Sequence, residues 1–80
     1  MFAQKYTVSI LNSKWVPLKR NLKLSIVPRR DELIFMDEQY FNVLNVIHKL
    51  GDIHDIFVIV DEMQEKLSDS KSTTYIEGEK

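Results

Sequence analysis

The stretch Tyr40-Phe41-Asn42-Val43-Leu44-Asn45-Val46-Ile47-His48-Lys49-Leu50 decides the fold. As a helix it places Tyr40, Val43, Leu44, Ile47 and Leu50 on one face, with Asp37 as N-cap and Gly51 as C-cap. As a strand it uses the same letters differently. Its aromatic and β-branched residues suit a pleated surface, while Asn42 and Asn45 are poor helix interiors. The strand needs a bulge near Leu44 and Asn45, so that Phe41, Val43, Val46 and His48 share a face. The flanks favour the strand. A short apolar run over residues 33–36 and a turn at Asp37-Glu38-Gln39 look like the first half of a hairpin. A tight turn over residues 51–54 leads directly to another apolar run. We read 40–50 as a strand; an α+β fold with residues 38–50 helical is the alternative.

The following run, residues 55–62, is apolar on both faces, as in a central strand covered on two sides. Alternation points Val58 inward and Phe57 and Ile59 outward. Residues 63–67 suggest a short C-terminal helical turn. Residues 68–80 have no periodic apolar face and read as a flexible tail. On the N-terminal side, residues 4–11 alternate, with Tyr6, Val8 and Ile10 facing one way and Thr7 and Ser9 the other. Asn12 and Ser13 signal a turn. Residues 15–18 form a connection in which Pro17 blocks a regular ladder and Trp15 serves as a lid on the core. Residues 20–27 alternate again, with Leu22, Leu24 and Ile26 inward and Lys23 and Ser25 outward. Pro28 begins the next turn. The expectation is all-β: a single small domain over residues 1–67, built as a five-stranded meander or partly open SH3-like or OB-like barrel.

The chain has 80 residues and no cysteine, which excludes a disulfide scaffold, a thiolate metal site and a cysteine nucleophile. With glycine only at 51 and 78, no phosphate cradle or dinucleotide fingerprint is available. His48 and His54 are the only histidines. Asp52, His54 and Asp55 read as turn residues, where Asp caps its own backbone, rather than as a metal site. Thr7, Ser9, Ser13 and Ser25 lack a nucleophile elbow and a neighbouring base. Adjacent carboxylates such as Asp61 and Glu62 point to opposite faces of a strand and form no acid/base couple. No catalysis and no cofactor are expected. No run reaches a membrane span and the N-terminus has no leader pattern, so the expected location is cytoplasmic, without membrane attachment.

Charge is segregated along the chain. Residues 1–30 carry seven lysines and arginines and no acid, whereas residues 31–80 carry all twelve acids and four lysines. Cross-strand pairing of basic against acidic segments explains this most simply. Two interaction readings compete. In the preferred one, outward Phe57 and Ile59, with Tyr40 and Phe41, form an apolar patch that meets a protein partner or a second copy of the chain. In the alternative, Lys14, Trp15, Lys19, Arg20, Lys23, Arg29 and Arg30 combine cations with an aromatic platform for nucleic acid.

Residues 26–62, IVPRRDELIFMDEQYFNVLNVIHKLGDIHDIFVIVDE, carry a proline–basic–acidic turn, an apolar pair, an acidic turn, an aromatic-x-Val strand and a terminal Ile/Val strand. This pattern resembles short β proteins of bacteriophages and mobile elements, and small head–tail joining barrels share its rhythm. The resemblance implies a small assembly or interaction protein in a bacterial host cytoplasm. It carries over no catalytic residue.

Overall fold

The computed structural model describes residues 5–63 and 72–76. They form six strands and no helix: β1 (Tyr6–Asn12), β2 (Pro17–Leu24), β3 (Leu33–Met36), β4 (Gln39–Lys49), β5 (Asp55–Met63) and β6 (Thr73–Tyr75). The sheet order is β2-β1-β5-β4-β3-β6. Strand β1 runs parallel to β5 and β3 parallel to β6, while the other neighbours are antiparallel. The sheet is therefore mixed, with β5 at its centre beside β1 and β4.

The sheet curls into a half-barrel. Lys19 on edge strand β2 reaches Asp37 in the β3–β4 turn, with Nζ 3.3 Å from Oδ1. In a flat sheet β2 and the β3–β4 turn would be three to four spacings, or about 14–19 Å, apart. The contact bridges the open mouth of the curl.

The inner face holds the core. Val8 and Ile10 of β1 align with Ile56 and Val58 of β5, and Val43 of β4 aligns with Val60. With Ile34, Met36 and Phe41 these side chains form one buried cluster, against which Tyr6, Leu22, Leu24, Val27, Val46 and Ile76 pack.

The decisive stretch is a strand, which removes the helical alternative. Its register shifts between Val43 and Asn45, leaving Leu44 as the extra, exposed residue. The bulge lets Val43 and Val46, an odd number of residues apart, both face the core.

Three expectations need correction. The sheet has six strands rather than five, because Thr73–Tyr75, within the stretch read as a tail, pairs with β3. Met63, read as the start of a helical turn, is the last residue of β5, and residues 64–67 lie outside the described residues. Strand β2 covers residues 17–24 rather than 20–27. Pro17 opens it, where an edge position needs no ladder N–H from proline. At the other end Val27 and Pro28 turn into the core, and Ile26, expected inside, is 61% exposed.

Candidate functional site

Two of the four proposed interface residues are covered by the chain itself. Phe41 is a core residue because it aligns with Ile34 on the inner face. Ile59 does point outward, but it lies between Leu11 of β1 and Asn45 of β4 in the middle of the sheet and is only 6% exposed. Phe57, flanked by Ser9 and Ile47, is half-buried. Tyr40 is half-buried against Phe35, which also meets Tyr75, with ring centroids 4.7 and 5.6 Å apart. Tyr40 aligns with Met63, six residues along β5 from Phe57, or about 20 Å. The four residues do not converge on one patch.

The basic set is also dispersed. Lys19 is engaged by Asp37 at the mouth. Lys23 donates from Nζ to Thr7 Oγ1 at 2.6 Å. The Arg29 backbone N–H donates to Glu32 Oε1, and its side chain lies 4.0 Å from the same carboxylate. Arg20 and Arg30 are exposed on β2 and in the following loop. Neither ion pair is a cross-strand pair: Arg29–Glu32 is local to one loop, Lys19–Asp37 joins a strand to a distant turn, and basic β2 neighbours only β1.

The β1–β2 loop departs furthest from what folding alone requires. Asn12 and Val16 close a loop of three residues, with Asn12 N–H donating to the Val16 carbonyl and Trp15 N–H to the Asn12 carbonyl, both at 2.9 Å. The Asn12 side-chain oxygen accepts from the N–H groups of Lys14 and Val16 at 2.9 and 3.0 Å. Every bond that fixes the loop therefore comes from backbone or from Asn12. Trp15 occupies the last loop position with φ 66°, a left-handed conformation that such loops ordinarily give to glycine. It is not a lid: it is 60% exposed, and Val16 and Leu18 beside it are 51% and 38% exposed. The lid reading took the apolar run Trp15-Val16-Pro17-Leu18 for core material, whereas the aromatic-platform alternative had Trp15 exposed. The sequence signal was Asn12-Ser13, a turn pair whose loop runs through position 15.

The chain matches no family model, no curated protein and no solved structure. The site must be read from its own geometry.

Next to the loop lies an open cleft of ≈ 430 Å³ at the mouth of the half-barrel. Its lining includes Leu18, Met36, Phe41 and Val60, together with Lys14 of the loop and the carboxylates of Asp61 and Glu62. The lining is mainly polar, with Asn12, Ser13, Asp37 and Gln39 beside these charges, and Met36, Phe41 and Val60 are buried, so Leu18 is the apolar side chain it exposes. The loop and the cleft thus share one end of the sheet.

Proposed function

We propose that this chain is a non-enzymatic protein-interaction or assembly module that docks through the β1–β2 loop, with Trp15 as the anchor. The observation that carries the reading is Trp15 itself: a large aromatic, 60% exposed, in a backbone conformation that disfavours it. The loop needs a left-handed residue at this position, and a bulky exposed tryptophan there, where glycine fits better, supports a contact role. Tryptophan is the residue most enriched among interface anchors, and burying one removes about 150–250 Å² from water. Val16 and Leu18, 51% and 38% exposed, extend the apolar surface. The phage-like spacing of residues 26–62 agrees with an assembly role.

Trp15 is the only tryptophan, so its emission reports on docking directly. Association should shift that emission to shorter wavelength as concentration rises, in step with sedimentation. Trp15→Gly should abolish association while raising the melting temperature, since glycine suits φ 66°. If wild type stays monomeric at all concentrations, and a photo-crosslinking residue at position 15 captures no partner specifically, the reading is wrong.

A second reading, single-stranded nucleic acid, is favoured by the same exposed Trp15 beside Lys14, with Arg20 exposed on the adjoining strand. Asp37, Glu38, Asp61 and Glu62 at the same end oppose it by repelling phosphate. Binding of this kind would weaken steeply with salt, and Lys14→Ala with Arg20→Ala would reduce the slope.

A further inference from the structure

At the opposite end of the sheet, two histidines meet. Strand β5 is parallel to β1, so the turn that precedes β5 lies far from the loop that follows β1. His48 aligns with Ile56, and His54 is two residues earlier than Ile56 on the same chain, so both belong to one face. Their side chains come together across the β4–β5 turn, with His48 Nδ1 2.9 Å from His54 Nε2 and ring centroids 5.1 Å apart. Tyr6 of β1 packs edge-on against His54, with centroids 6.3 Å apart, and limits where that ring can go. Both histidines are exposed.

We propose that His48 and His54 form a two-histidine site for a divalent transition ion such as zinc(II) or nickel(II), bound through His48 Nδ1 and His54 Nε2. Imidazole nitrogen suits these ions, at bond lengths of about 2.0–2.1 Å. Tetrahedral bonds of that length hold two nitrogens about 3.3–3.4 Å apart, so the 2.9 Å hydrogen-bonded contact found here opens by a few tenths of an ångström as the ion enters. The rings now meet nearly end to end, as a hydrogen bond requires, so each must pivot to aim its lone pair at a shared point. With His54 held by Tyr6, the exposed His48 ring makes most of that pivot. The ion replaces the proton between the rings. In the neutral pair that proton moves to the outer nitrogen of its own ring, so both inner nitrogens become donors without proton release. Among the described residues no third histidine or carboxylate joins the pair in a metal-binding group. Water or an external donor fills the remaining positions. The bound ion ties the end of β4 to the start of β5.

The test is titration of the full chain with zinc chloride and with nickel chloride, read by the histidine ring signals in NMR and by calorimetry. With two histidines in the chain the spectrum is simple. Both rings should respond together and saturate at one ion per chain, with a rise in melting temperature. His48→Ala, His48→Gln and His54→Ala should each weaken binding about tenfold or more, and each should keep the wild-type circular dichroism because the side chains are exposed. Absence of any histidine response up to millimolar ion would overturn the site and leave a proton-sharing pair. Unchanged affinity in the variants would overturn it equally, by placing the ion on carboxylates elsewhere.

Discussion

Among the described residues, five other than glycine have left-handed backbone: Trp15, Asn21, Asp31, Asp37 and Glu38. Asn and Asp tolerate this region because their short polar side chains bond locally, and Asn21 also donates its N–H to Ser9 Oγ at 3.2 Å. Trp15 and Glu38 have no such help. Asp37 and Glu38, with φ of 52° and 60°, make the two-residue turn between aligned Met36 and Gln39, a turn whose twist matches the strands and whose second position favours glycine. Glu38→Gly should therefore stabilise the fold by about 1 kcal/mol, raising the melting temperature by about 4–8 °C. No rise would mean that the turn has another conformation in solution. The comparison with Trp15→Gly is instructive. Both changes relieve backbone strain, but only the second should remove association.

At the scale of elements, β6 is the one that sequence patterning hid. Three residues are too few to display alternation, and they follow a polar stretch. In the sheet they are held by Leu33 N–H donating to the Ser72 carbonyl at 2.9 Å and Ile76 N–H to the Phe35 carbonyl at 2.8 Å, and Ile76 packs on the core. Removing residues 72–80 should cost about 2–3 kcal/mol, from partial re-exposure of an isoleucine and the loss of these bonds. A thermal melt checks it: an unchanged midpoint would show β6 to be dispensable. Strand β4 is the opposite case. Its bulge was legible because Phe41, Val43, Val46 and His48 cannot share a face in any unbroken strand, and the register shift falls where that conflict arises.

For the whole molecule, stability rests on β5. Ile56, Val58 and Val60 are fully buried and align with β1 on one side and β4 on the other. Val58→Ala should lower stability by about 1–3 kcal/mol through lost burial and a cavity, measured by urea denaturation, with no effect on docking at the loop. A near-neutral result would mean that the inner face repacks freely. The Lys19–Asp37 contact across the mouth is partly exposed and contributes far less, about 1 kcal/mol at most. It marks how far the sheet curls rather than causing the curl.

The sequence determined the β class, the core-facing residues of β1, the bulge in β4 and the central, two-sided character of β5. Each of these is set by alternation along a single strand, which is local. The β3–β4 and β4–β5 hairpins were legible from their short turns, but the parallel pairings of β1 with β5 and of β3 with β6 were decided only in the tertiary structure, and so was what depends on them. Ile59 is outward by alternation, yet Leu11 beside it on β1 helps to cover it. Trp15 looks apolar enough for the core, yet the loop that Asn12 closes holds it at the tip. His48 and His54 meet because a hairpin folds their strands together at one register. Alternation tells a residue which face it occupies; only the pairing of strands tells it what covers that face.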